Sequence, residues 1–245
     1  MATQRIIVGV DGSIGARTAL EWAVDECRLR ACTLLIVHAQ TAGAAAGYDA
    51  AAERLLSEHV AAASERRPGV PVTTLLSDAP PADKLIELSL DAELIVVGTR
   101  GNNGFTSTML GSVTNRAAVH AHCPVAVVPE PASLHVSAGG PVVVGVSDGR
   151  AGQLALEFAR REAQVRTAPL KTVHADEEPA ESLLRAADGA QLLVVGGHHS
   201  DDRWSTRLGP VPTSVLHRSP CPVVVVGELP NKAVSQGLVD EGSHP

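Results

Sequence analysis

A chain of 245 residues with 44% hydrophobic content holds enough apolar material for one large domain or two of ordinary size. A formal net charge of -7 and a pI near 5.8 exclude a nucleic-acid surface, and two Phe, two Trp and one Tyr leave no stacking platform for single strands. No apolar run reaches the roughly 18 residues a membrane span needs, and Met1–Arg5 leads into an apolar strand without a secretory pattern, so a cytoplasmic location is expected.

Ile6–Val10 is a continuous apolar run, as expected of a parallel strand covered on both faces. Asp11-Gly12-Ser13 turns the chain, and Ala16, Ala19, Leu20, Ala23, Val24 and Cys27 then mark one face of a helix. Thr33–Ala39 reads as a second strand. Tyr48 to Ala63 keeps helical spacing until Pro68-Gly69, and Val70–Leu76 reads as a third strand. A helix from Pro81 to Leu90, a strand Leu94–Val97, a glycine loop, a helix from Val113 to Ala121 and a strand Pro124–Val128 follow. This alternation predicts an open, doubly wound parallel sheet of the Rossmann-like α/β class.

After a turn-prone linker at 131–140 the pattern starts again. Pro141–Gly149 restates the opening strand and turn, Thr172–Ala175 echoes Ile36–Ala39, Leu192–Gly196 echoes Leu94–Gly98, and Cys221-Pro222-Val223 echoes Cys123-Pro124-Val125. The chain is therefore read as two tandem copies, 1–130 and 141–228, with a disordered tail at 229–245. The stretch between His174 and Gly196 is far shorter than that between His38 and Gly98. The second copy should lack one edge strand and its crossover helix, and should pack against the first.

The four cysteines show no metal-like spacing. Cys27 and Cys32 bracket a helix end and a strand start, while Cys123 and Cys221 each precede a Pro and a valine-rich strand. They are expected to be small buried hydrophobes in a reducing compartment, a redox sensor being the alternative.

The candidate site is the rim where the first and fourth strands end. Gly9-Val10-Asp11 leaves the first strand. Val97-Gly98-Thr99-Arg100-Gly101, nine residues, then Gly111-Ser112 leaves the fourth and opens onto a helix. Glycines at a strand exit let backbone N–H groups approach a ligand, and a helix start offers unpaired N–H groups to an anion. Together they form a phosphate cradle. Asp11 can accept hydrogen bonds from ribose hydroxyls or a base amine, or it can cap the following helix. Arg100 can meet phosphate charge or lie solvated. Asn102, Asn103 and Gly104 are turn formers first and phosphate donors second. His38 recurs as His174, which favours a structural role. His198-His199-Ser200-Asp201-Asp202 suggests a metal, but adjacent residues rarely converge on one ion, so a polar loop is expected.

The pattern Gly98-x-x-Gly101-x9-Gly111-Ser112, with Asp11 after the first strand and Cys123-Pro124-Val125 opening the last, resembles the ATP-binding branch of the universal stress protein family. Both halves resemble it, up to about Gly227. The resemblance implies a 3-2-1-4-5 sheet, ATP (with Mg) on the strand rim, and dimer-like pairing of domains through the last strands. It also implies that Gly9, Asp11 and Ala39, lined by Val97 and Gly98, hold the nucleoside end. Gly101, Gly111, Ser112, Val113 and Thr114 would hold the ribose and phosphates.

The second copy departs from the pattern: His199 stands for Gly101, Pro210 for Ser112 and Pro212 for Thr114. Two prolines remove N–H donors from the helix start, so no ATP is expected there. No Walker motif, kinase-like set or Gly-x-Ser-x-Gly elbow appears. The expected function is an ATP-binding, nucleotide-dependent stress-response regulator with at most slow hydrolysis, partnered by an unidentified regulatory protein. It would be monomeric through internal pairing or a further homodimer. The alternatives are a scaffold that binds no nucleotide and, behind it, an adenylyl-transferring enzyme, whose His-x-Gly-His or Ser-Gly-Gly-x-Asp-Ser signatures are both missing.

Overall fold

The computed structural model describes residues 4–40, 48–101, 110–130, 136–174, 177–197 and 208–227. The strands are β1 (Arg5–Gly9), β2 (Thr33–Ala39), β3 (Val72–Ser77), β4 (Leu94–Gly98), β5 (Val125–Val128), β6 (Val142–Val146), β7 (Leu170–His174), β8 (Leu192–Gly196) and β9 (Val223–Val226). The helices are α1 (Ile14–Arg30), α2 (Tyr48–Arg66), α3 (Pro81–Leu88), α4 (Ser112–His120), α5 (Arg150–Arg166), α6 (Pro179–Ala187) and α7 (Pro210–Arg218), with a short 3-10 turn at Ser89–Asp91. The predicted α/β alternation is present, with ends shifted by a residue or two.

All nine strands join one sheet in the order β3-β2-β1-β4-β5-β9-β8-β6-β7. The first five take the expected 3-2-1-4-5 order. The last four repeat it without a third strand, and no counterpart of α2 occurs among the described residues. Every pairing is parallel except β5 with β9, where Val125, Ala126 and Val127 face Val225, Val224 and Val223. The two halves thus meet back to back through their last strands.

Alternate strand residues feed two cores, which is why the strands read as unbroken apolar runs. Ile6, Val8, Leu34, Ile36, Leu94 and Val96 pack beneath α1 and α2, and Val142, Val144, Leu192 and Val194 beneath α5. Ile7, Leu35, Val37, Ile95 and Val97 face α3 and α4, and Val143, Leu193 and Val195 face α6 and α7.

A buried charge ring links α1 to α5 across the junction. Arg30 holds Glu26 at 2.8 Å and Glu162 at 2.7 Å, while Arg166 bonds both Glu162 and Glu26. These four side chains are all at most 7% exposed. Arg30 also reaches Glu93 at 3.2 Å. Burial opposes the Arg30 charge, but Glu162 and Glu26 outweigh it and hold its guanidinium protonated more firmly than usual. Glu26/Arg30 and Glu162/Arg166 occupy matching turns of the repeated helix, so the repeat itself builds the ring.

Candidate functional site

β1 ends in a hydrogen-bonded turn. Asp11 Oδ1 accepts the Ser13 N–H at 3.0 Å, and Ser13 Oγ accepts the Ala16 N–H at 3.1 Å. Ser13 is therefore the cap of α1, and Asp11 shapes the turn before it. The capping alternative for Asp11 is overturned, because Ser13 lies one residue before the helix and takes the donor. Gly12 sits at φ +83°, a left-handed geometry that favours glycine. His38 Nδ1 donates to the Val10 carbonyl at 2.8 Å, a structural tie between β2 and the β1 exit.

β4 leaves the sheet against α1. A β-carbon on Gly98 would lie 2.7 Å from the Gly15 carbonyl atoms, so only glycine lets the two backbones pass. A β-carbon on Gly101 would collide with Asp11 Oδ2. The two turns singled out in the sequence therefore meet at Asp11 and Gly101. Gly111 N–H donates to the Thr99 carbonyl at 2.9 Å and draws the start of α4 back to the β4 exit. The buried Thr114 hydroxyl donates to the Gly98 carbonyl at 2.8 Å, which commits it to the fold. Arg100 is partly exposed and pairs with Glu130 at 3.7 Å, an arrangement the sequence reading did not foresee.

Gly9 and Val10 have packing roles as well. A β-carbon on Gly9 would press on Leu85 of α3 at 3.1 Å, and Val10 is buried with its N–H on the Val37 carbonyl. Ala39 ends β2, half-buried and in register with Ser77. Val97 is buried beneath α4. Asn102, Asn103, Gly104 and the stretch 198–202, including His199, lie outside the described residues, as does the tail 229–245.

The start of α4 distinguishes the two halves. Its first intrahelical bond runs from Asn115 N–H to the Gly111 carbonyl. Ser112, Val113 and Thr114 precede that bond, so their N–H groups have no acceptor within the helix. No side chain caps this end among the described residues, and Ser112 is exposed. In α7 the equivalent bond runs from Thr213 to Gly209. Pro210 and Pro212 lie between, and Val211 alone retains an N–H. The dipole of α4 adds partial positive charge to its three donors.

The scaffold under both rims is otherwise the same. Gly145 stands against Leu183 as Gly9 does against Leu85, and Gly196 passes Ala151 as Gly98 passes Gly15. Gly145 and Gly196 of the second half thus have packing roles in the fold. The charge ring, by contrast, was missed; the same Glu-x-x-x-Arg spacing in two matching helices is the signal that would have found it.

The universal stress protein family model matches residues 2–129 and 176–227. A universal stress protein of Mycobacterium tuberculosis is 39% identical over 170 residues, which cover 67% of this chain but 62% of that protein, so the chain spans less than two thirds of this relative. A second one from the same organism is 27% identical over 287 residues, covering 91% of this chain and 96% of its own. The crystal structure of a universal stress protein from Archaeoglobus fulgidus shares the fold, with a TM-score of 0.73 at 18% identity over 93% of this chain and 99% of that one. On the extent of the family match, the chain belongs to the universal stress protein family.

Proposed function

We propose that the N-terminal rim binds one ATP per chain and that the C-terminal half binds none. The observation that carries this reading is the difference between the two helix starts. α4 presents the N–H groups of Ser112, Val113 and Thr114 with no helical acceptor, whereas α7 presents that of Val211 alone. Gly101 packs directly against the Asp11 carboxylate, which sets that acceptor beside the β4 turn.

In this reading Asp11 accepts from the ribose or base, with Gly9, Ala39 and Val97 toward the nucleoside. The Gly98–Gly101 turn and the start of α4 hold the phosphates. Among the described residues no cluster of three His, Cys, Asp or Glu side chains stands ready for a metal. Magnesium would accompany the phosphates it neutralises. ATP would supply a triphosphate whose presence or loss alters the rim, and the chain would act as a cytoplasmic stress-response regulator rather than as an efficient enzyme. The second reading, a scaffold without nucleotide, rests on Gly9 and Gly98 having packing reasons of their own.

The test is the melting temperature with and without Mg-ATP. At a hundredfold excess over Kd, a single site adds about 2.7 kcal/mol, or about 5–10 °C for a chain of this size. Gly111→Val should remove the shift and keep the fold, since a β-carbon there meets nothing closer than 3.4 Å. An unchanged shift in that variant would displace the phosphates from α4, and no shift in the parent protein would favour the scaffold.

A further inference from the structure

The C-terminus of α1 is closed by a left-handed residue, Ala31 at φ 53°, and the Cys32 N–H donates back to the Cys27 carbonyl at 3.1 Å. This is the helix-ending arrangement in which a 6→1 bond brings the side chains on either side of the cap together. Here both of those side chains are thiols, and both are free and buried. A disulfide bridges α-carbons about 4.4–6.8 Å apart, and the two thiols lie close enough for each to shift the other's ionisation.

The second half supplies an internal control. α5 ends in the same way, with Thr167 at φ 51° and the Ala168 N–H on the Ala163 carbonyl at 2.9 Å. Ala163 and Ala168 take the places of Cys27 and Cys32. The motif therefore closes with two alanines as well as with two thiols, and packing alone does not require a cysteine at either position.

We propose that Cys27 and Cys32 form a reversible dithiol–disulfide site, oxidised by hydrogen peroxide, at the end of the helix that carries the interhalf charge ring. The Cys32 thiolate attacks one peroxide oxygen, the O–O bond breaks, and hydroxide leaves, giving a sulfenic acid. The Cys27 sulfur then attacks the Cys32 sulfur, the S–O bond breaks, and the departing oxygen takes a proton to become water. In sum, one dithiol and one peroxide give one disulfide and two waters, with the sulfurs oxidised and the peroxide reduced. The neighbouring Cys27 thiol lowers the pKa of Cys32 against burial and the Glu93 charge, with Arg30 acting in the lowering direction too, and the pairing together with burial raises that of Cys27. Cys32 is accordingly the attacking sulfur and Cys27 the resolving one. Cys123 and Cys221 are buried with their thiols pushed up to about 12 and about 11, and neither has a thiol neighbour at a helix cap.

The sequence makes the test direct. Trypsin cleaves after Arg28 and Arg30, which separates Cys27 and Cys32 onto two peptides unless a disulfide holds them. The folded full chain is treated with hydrogen peroxide, then denatured, alkylated and digested, and the peptides are weighed. The expected result is a linked pair of the Thr18–Arg28 and Ala31–Arg54 peptides that dithiothreitol separates, with Cys123 and Cys221 alkylated. The variant C27A/C32A copies the alanines of α5; it should keep the parent's melting temperature within about 2 °C and four equivalents of peroxide should consume none of its thiols. Peroxide that leaves all four thiols alkylated, that drives Cys32 to sulfinic acid without linkage, or that links Cys123 or Cys221 instead would overturn the assignment.

Discussion

Gly101 lies so close to Asp11 that a β-carbon on it would collide with the Asp11 Oδ2 atom. The carboxylate at the β1 exit and the turn at the β4 exit therefore pack together, and only glycine leaves room for the carboxylate. Gly101→Val should push the Asp11 side chain away from the rim. Gly101 is exposed and its φ is not left-handed, so the fold should survive. The expected outcome is at least a tenfold loss of ATP affinity, about 1.4 kcal/mol, by calorimetric titration, with a melting temperature within about 2 °C of the parent.

Ser112→Pro moves one feature of α7 onto α4. The first helical position tolerates proline, and Gly111 at φ -59°, ψ 146° already has the extended geometry a following proline demands. The variant should fold normally and lose one N–H donor from the proposed cradle. Its ATP affinity should drop by about 1.5–3 kcal/mol, the range for a hydrogen bond to a charged group. Equal affinity in Ser112→Pro and parent would remove Ser112 N–H from the site.

The alternation of strands and helices, the duplication and the missing edge strand were legible in the residues, while the 3-2-1-4-5 order came from the family resemblance. Unbroken apolar runs such as Leu94–Val97 mark strands covered on both faces, and the shortened stretch after His174 marks the deletion. Tertiary partners were not legible. The hydroxyl of Thr114, a residue the family resemblance assigns to the phosphates, donates to the Gly98 carbonyl, a contact no spacing discloses. Asp11 reads equally as a ribose acceptor and as a helix cap, and Ser13 takes the cap. Short polar side chains serve turns, caps and ligands with the same atoms, and only the geometry decides among them. Glu26 and Arg166 are far apart in the chain, and helix periodicity alone does not disclose that they meet.

Removing one member of the buried ring should cost more than an exposed pair would. Arg166→Met leaves Glu162 and Glu26 short of a cation in an apolar setting, so a loss of about 3–5 kcal/mol is expected in urea unfolding. Arg66→Met, which breaks the exposed pairs with Glu21 and Asp25, should cost about 1 kcal/mol or less. Equal losses would show that the ring does not hold the halves together.

Alkaline pH should expose the buried thiols. Burial raises Cys221 to about 11 from an ordinary value of 9.0. A proton held more tightly in the fold stabilises it fully below pH 9, and that contribution is lost as pH rises to the folded value. Unfolding free energy should therefore fall between pH 9 and 11, and Cys221→Ala should remove about 2–3 kcal/mol of that decline. Identical slopes in variant and parent would contradict the assignment of the decline to this thiol.

The stoichiometry of ATP on the intact chain tests the asymmetry between the halves most directly. Equilibrium dialysis against labelled Mg-ATP should saturate at one nucleotide per chain, with binding abolished by Gly111→Val. Two nucleotides per chain, none at all, or one that survives Gly111→Val would contradict the assignment of the ligand to the N-terminal rim.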